Sequence, residues 1–308
     1  MLTIINLEKF YGKYKAVNGL DMHLKKGDIF GFIGPNGAGK STTMKIIAGL
    51  LPADGGEIYV DGIDALKDNK KLKEKIGYMP DFFGSYENLK VIEYMEFYAS
   101  IYGIVGKESK DLIMDLLELV NLEEKKDAYV DGLSRGMKQR LCLARSLVHN
   151  PELLILDEPA SGMDPRSRFE MKGILKNLKD MDKTVIISSH ILSEMNEICT
   201  SVGIIEEGNL IYSGGINNLL SRMRNNNPLK IIVRDKVKES KVILSELPYI
   251  TNIKENSKEL TVFFNGGEIE ISNTIKALVL KDIPIISFTQ VSENLEDVFI
   301  KITEKESK

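Results

Sequence analysis

Across roughly the first 215 positions, short blocks of apolar and β-branched residues alternate with longer segments at helical spacing. Blocks of four to ten such residues, bounded by Gly, Asn and Asp, read as strands. They fall at residues 2–7, 16–24, 28–33, 57–60, 76–79, 153–156, 184–188 and 202–205. The all-apolar runs among them, such as Leu153-Leu154-Ile155-Leu156, predict strands buried on both faces of a parallel sheet. Within about 86–148 the spacing changes: Met95, Tyr98 and Ala99, then Leu112, Leu116, Leu119 and Val120, recur at steps of three and four. That period predicts a helical insert. Glu207-Gly208-Asn209 has the chemistry of a hairpin turn closing this α/β domain.

A polar, turn-prone stretch containing Asn225-Asn226-Asn227 predicts a linker over 221–228, so the first domain spans 1–220 and a second 229–308. In the second, the pattern predicts a strand over 230–234, a helix over 237–247, strands over 250–254 and 259–264, a helix over 268–280 and a strand over 284–290. That βαββαβ order is the one of a small α+β ferredoxin-like domain. A last helix after Ser292 places Leu295, Val298, Phe299 and Ile302 on one face, which is expected to pack on its own domain.

Composition narrows what such a chain can do. The 308 residues carry 41 Lys and Arg against 45 Asp and Glu, a net charge of −4, and from Arg222 onward 14 basic and 13 acidic residues nearly cancel. No half is basic enough to be drawn onto nucleic acid or anionic lipid by bulk charge. No apolar run approaches the 18 or so residues of a spanning helix, and the start, Met1 to Lys9, is too polar for a secretory signal. Direct membrane insertion is therefore not expected. Cys142 and Cys199 stand far apart, which suits a reducing cytoplasm, and His23, His149 and His190 share no metal-ligand spacing.

Chemistry concentrates at three places. Gly34-Pro35-Asn36-Gly37-Ala38-Gly39-Lys40-Ser41 follows an apolar strand and precedes a helix expected over 42–51. The spacing is that of a phosphate loop: glycines let backbone N–H groups converge on phosphate, and the helix N-terminus, from Thr42, adds partial positive charge. Lys40 would reach the β and γ phosphates and Ser41 would bind Mg2+. The strand 153–156 ends in Asp157-Glu158, at the edge of a parallel sheet where ligands bind. Asp157 could hold Mg2+ through water, and Glu158 could act as general base on an attacking water.

Leu133-Ser134-Arg135-Gly136-Met137-Lys138-Gln139-Arg140 opens a helix 23 positions before Asp157. It resembles the signature motif of ABC ATPases, in which Ser and Gly bind the γ-phosphate held by the opposite subunit. Ser161-Gly162-Met163-Asp164 resembles that family's D-loop, and His190, after Ser188-Ser189, its switch histidine. Tyr11 sits where the family places an aromatic that stacks on adenine. The resemblance covers about residues 1–220 and implies a P-loop NTPase fold of the ABC ATPase type, with an antiparallel β-subdomain and a helical insert. It further implies ATP and Mg2+ as ligands, with Lys40, Glu158 and His190 catalytic. Tyr11, residues 34–42, Ser134, Gly136 and Asp164 would bind nucleotide, and Ser41, Asp81 and Asp157 would serve the metal. The stretch Asp81-Phe82-Phe83-Gly84 and the ending Glu293 to Phe299 look like ATP-binding subunits of ABC-2-type exporters.

On that resemblance two such chains, or this chain and a paralogue, meet head to tail around two ATP, and a separate transmembrane permease docks against residues 81–86 and the insert behind them. The protein would then lie at the inner face of the cell membrane, held there by its partner. Two positions depart from the family pattern. Asp81 stands where Gln is usual, and Arg135 where the signature has Gly; their opposite charges would partly offset across a dimer, with Arg135 approaching the partner's γ-phosphate. Rival readings are a soluble ABC ATPase of translation or nucleic-acid metabolism, or a regulatory nucleotide-binding module. The first would usually carry two phosphate loops, or a long coiled coil between phosphate loop and signature. Here there is one loop, and 93 positions without a heptad run separate Ser41 from Ser134.

Overall fold

A computed structural model describes residues 1–82, 84, 88–190, 195, 197–216 and 228–291. Two units divide the chain between Gly215 and Ile216. The first begins with β1 (Leu2–Tyr11), β2 (Tyr14–Leu24), β3 (Ile29–Ile33), α1 (Lys40–Ile47), β4 (Gly55–Val60), β5 (Ile63–Asp64), α2 (Asn69–Lys75) and β6 (Ile76–Met79). The helical insert follows as α3 (Val91–Ile101), α4 (Gly106–Leu119) and α5 (Arg135–Leu147). The chain then returns to the sheet through β7 (Leu153–Leu156), α6 (Pro165–Asp180), β8 (Thr184–Ser189), β9 (Ser201–Glu206) and β10 (Asn209–Gly215).

Two sheets result. An antiparallel one has the order β2-β1-β4-β5, and a six-stranded one the order β10-β9-β3-β8-β7-β6. In the larger sheet all neighbouring pairs from β9 to β6 are parallel, and only the β9–β10 hairpin is antiparallel. Every residue of β3, β7 and β8 is buried, as strands covered on both faces must be. Because these strands run the same way, their carboxyl ends lie together on one edge, and the segments leaving that edge carry the phosphate loop, Asp157-Glu158 and His190.

The structure moves some element ends. The apolar blocks predict strands over 2–7 and 16–24, but β1 continues to Tyr11 and β2 begins at Tyr14. Asn6 takes a left-handed φ of 47°, and shifts in register around Leu7 keep pairing going past the polar Glu8 and Lys9. The helix expected over 42–51 is α1, beginning two residues earlier at Lys40, so Lys40 and Ser41 belong to its first turn. Gly39, at a φ of 109°, turns the chain into it, and Gly49, at 67°, follows its end.

In the second unit β11 (Leu229–Val233), α7 (Val237–Ser245), β12 (Ile250–Asn256), β13 (Glu259–Phe264), α8 (Glu268–Val279) and β14 (Ile285–Gln290) form one antiparallel sheet of order β12-β13-β11-β14. Alternate residues of β11 and β13 face a core of Leu229, Ile231, Val233, Leu244, Leu260, Val262, Phe264 and Leu278. The last helix expected after Ser292, with Leu295, Val298, Phe299 and Ile302, lies outside the described residues, as does the expected linker except Pro228.

One charged residue ties the insert to the elements beside it. Arg140 of α5 is only 5% exposed in its side chain; its guanidinium donates to the carbonyls of Val120 and Asn121 beyond α4, and pairs with Glu170 of α6 at 3.2 Å. Truncating one member of a buried pair strands the other groups. Arg140→Ala is therefore expected to lower stability by about 3 kcal/mol, read as a fall in the urea midpoint, and unchanged unfolding would contradict this role.

Candidate functional site

The phosphate loop leaves the end of β3 and folds back over the first turn of α1. Close approach explains its glycines: a Cβ on Gly39 would stand 2.3 Å from the carbonyl oxygen of Ala16, and the left-handed φ is strained for any other residue. The Lys40 ammonium is turned into the loop, donating to the carbonyls of Gly34 at 2.6 Å and Pro35 at 3.0 Å. Burial pushes its pKa down, while Glu158 and Asp157 pull it back up. Ala38 accepts from Gly208 N–H through its carbonyl, pinning the loop to the β9–β10 turn.

Asp157, just past β7, is fully buried. Its Oδ1 accepts from Ser41 Oγ at 3.0 Å and from Ser188 Oγ at 2.7 Å, while its Oδ2 is buried with no hydrogen-bond partner. Ser188 in turn accepts from the backbone N–H of Glu158 at 2.8 Å. Three parallel strands are thus stitched at their carboxyl ends through one carboxylate. Glu158 itself has a left-handed φ of 49°, uncommon for a residue with a side chain. That turn aims its carboxylate at His190, whose Nδ1 lies 2.9 Å from Oε2; an ionised carboxylate only accepts, so Nδ1 is the donor.

An open cleft of about 420 Å3 lies over this edge. Of the residues singled out by sequence, Tyr11, Asn36, Gly37, Gly39, Lys40, Ser41, Thr42, Asp81, Glu158 and His190 line it. Gly34, Pro35 and Ala38 shape the loop beneath, and Asp157 sits behind Ser41. Asp81 leaves the end of β6 exposed, its carbonyl accepting from Gln139 of α5 at 3.4 Å. Tyr14 was not legible: its hydroxyl donates to the Gly37 carbonyl at 2.9 Å, bracing the loop from β2. Nothing in the local sequence of Ser188 marks it as the link between Asp157 and Glu158.

Ser134, Gly136 and Asp164 are not on this cleft. Ser134 is the N-cap of α5, its Oγ accepting from Met137 N–H, and Asp164 the N-cap of α6, accepting from Arg166 and Ser167 N–H and from the Ser167 hydroxyl. The Ser167 hydroxyl and these amides hold the Asp164 carboxyl below its usual range. Gly136 lets the two helix starts touch, since a Cβ there would lie 2.6 Å from the Ser167 side chain. Arg135 also lines the cleft of its own chain.

The site suits a cation with a polyphosphate. No cluster of three His, Cys, Asp or Glu exists among the described residues. A single buried carboxylate with one idle oxygen, beside a serine hydroxyl and a phosphate loop, is instead the donor set that Mg2+ accepts when phosphates complete its shell. The orphaned Asp157 Oδ2 fits that ion better than it fits a structure without one, because a buried carboxylate oxygen without a donor is costly.

A family model described as ABC transporter matches residues 17–161. The bacitracin transport ATP-binding protein BcrA of Bacillus licheniformis is 37% identical over 308 residues, covering 98% of each chain. The Nod factor export ATP-binding protein I of Burkholderia orbicola is 34% identical over 301 residues, covering 98% of this chain and 96% of its own. Among solved structures, the dimeric post-hydrolysis state of the ATP-binding cassette MJ0796 bound to ADP and Pi matches 70% of this chain and 99% of its own, with a TM-score of 0.64 at 26% identity.

Ser188→Ala removes one donor to Asp157 and the acceptor of Glu158 N–H. It is expected to destabilise the fold by about 1–3 kcal/mol in chemical unfolding, and an unchanged unfolding midpoint would show that the stitch between β7 and β8 carries no weight.

Proposed function

The chain belongs to the ATP-binding proteins of ABC transporters, and on that premise we propose that it binds and hydrolyses ATP in the cleft over β3, β7 and β8 to drive export through a separate ABC-2-type permease. The observation that carries the assignment of residues is the convergence at one sheet edge of the phosphate loop, the buried Asp157 and the Glu158–His190 pair. A relative named for Nod factor export supports the direction of transport. No helix among the described residues is long and apolar enough to cross a membrane, which fits a subunit held at the inner membrane face by its permease.

In this reading the backbone N–H groups of residues 36–41 and the N-terminus of α1 receive the β and γ phosphates, with Lys40 adding charge. Ser41 and Asp157, with Asp81 of the same cleft, would hold Mg2+, which would supply neutralisation of the phosphate charge. Tyr11, exposed at the end of β1, offers a face for the adenine. Glu158 accepts a proton from a water aligned on the γ-phosphorus. The oxygen of that water bonds to phosphorus as the bond to the β–γ bridging oxygen breaks, giving ADP and phosphate. His190 orients the Glu158 carboxylate through Nδ1 and lines the same cleft.

Ser134, Gly136 and Asp164 are not among the residues that line the cleft, which suits a closed head-to-tail dimer, with a second copy or a paralogue, in which they complete the partner's site. Hydrolysis then follows closure, because most of phosphoryl-transfer catalysis is positioning and charge stabilisation. None of the residues assigned above belongs to the second unit, the ferredoxin-like one, and we assign it an accessory role.

Glu158→Gln keeps the hydrogen-bonding shape but removes the base. It is expected to bind ATP, to lose about 100-fold or more of its turnover and to accumulate as an ATP-bound dimer in size-exclusion chromatography; wild-type turnover would exclude Glu158 as the base. Lys40→Ala is expected to weaken ATP binding itself in calorimetric titration, and retained affinity would place the phosphates elsewhere.

A further inference from the structure

Tyr14 belongs to none of the motifs, yet it joins two parts of the cleft that come from different segments of the chain. Residues 12–13 form the short turn between β1 and β2, where Gly12 takes the left-handed φ of 62° that a two-residue hairpin turn favours. The turn leaves Tyr11 and Tyr14 in register as cross-strand partners, and directly opposed residues stand on one face of a sheet. Both side chains are about half exposed and both line the cleft. The Tyr14 hydroxyl is engaged there, donating to the Gly37 carbonyl at 2.9 Å.

Gly37 is a point where the phosphate loop needs holding. Its φ is 83°, and a Cβ there would meet nothing within 4 Å, so backbone freedom rather than crowding accounts for the glycine. Gly39, with its φ of 109°, is equally permissive. Between them two successive carbonyls are anchored from two directions: Gly37 by Tyr14 of β2, and Ala38 by the Gly208 N–H of the β9–β10 turn at 3.0 Å. Because each peptide is planar, anchoring its carbonyl also sets the N–H across the bond, here those of Ala38 and Gly39.

The two anchors differ in kind. Gly208 donates from its backbone, which any residue there would supply, whereas the hydroxyl depends on the identity of residue 14. The other loop carbonyls that take side-chain donors, those of Gly34, Pro35 and Gly39, take them from Lys40 and Thr43 of α1, the helix that the loop itself leads into. Tyr14 instead ties the loop to the hairpin that carries Tyr11.

We propose that Tyr14 is a positioning residue for the nucleotide: its hydroxyl holds the phosphate loop in the conformation that receives phosphate, and fixes that loop relative to the hairpin. It acts through Gly37. This rests on the reading of the cleft as the ATP site.

The test compares two ligands, ATP and inorganic tripolyphosphate, which lacks the base. Each is titrated by calorimetry into wild-type protein and Tyr14→Phe in magnesium-free buffer, at a protein concentration where sedimentation velocity shows a monomer. Phenylalanine keeps the ring and removes only the donor. Loss of one hydrogen bond that holds the loop is expected to raise Kd about fivefold for both ligands. Unchanged Kd values for both overturn the proposal, including the case in which only the urea midpoint falls, which would make the bond purely structural. A loss confined to ATP also overturns it, since Tyr14 would then act on the base and not through the loop. Failure of wild-type protein to bind either ligand would overturn the reading of the cleft instead.

Discussion

A carboxylate buried at the end of a fully apolar strand is the constraint on which the rest of this structure turns. Asp157 has no exposure, and two hydroxyls, from α1 and β8, converge on one of its oxygens while the other has none. Such a group is tolerated only where hydrogen bonds and a nearby cation compensate the loss of water. That requirement brings Lys40 and Ser41 of the phosphate loop against β7, and Ser188 against the turn that aims Glu158 at His190. Folding of the sheet edge and assembly of the chemistry are thus one event.

In front of that carboxylate the cleft is lined by two acids, Asp81 and Glu158, two cations, Lys40 and Arg135, and His190. The positive groups differ in freedom: Lys40 is buried and held by loop carbonyls, whereas Arg135 is exposed and unengaged among the described residues. Meanwhile Ser134 and Asp164 cap neighbouring helices whose starts touch at Gly136 and Ser167, so these two motifs lie side by side.

Much of this was legible because the strongest local signals coincide with the strongest physical demands. The runs 76–79, 153–156 and 259–264 are strands with those bounds, since continuous or alternating apolar residues leave little choice of pattern. The phosphate loop, Asp157 and Glu158 follow from their place after such strands, and His190 from the family resemblance alone. What the pattern concealed depends on contacts between distant segments. β1 runs on to Tyr11 because a bulge at polar residues preserves pairing, α2 is too short to show a period, and Tyr14 reaches Gly37 only once β2 is folded beside the loop. Arg135 was visible as a departure, yet its direction was not, because Gly162, 27 positions later, sets where the guanidinium lies.

The central claim is that the idle oxygen of Asp157 exists to share a divalent cation with ATP. Titration with Mn2+ as a paramagnetic substitute, followed by electron paramagnetic resonance with and without ATP, tests it most directly. The account predicts ATP-dependent binding of one Mn2+ per chain in the wild type and its loss in Asp157→Asn at unchanged secondary structure. Equal ATP-dependent Mn2+ binding in the two proteins would contradict it.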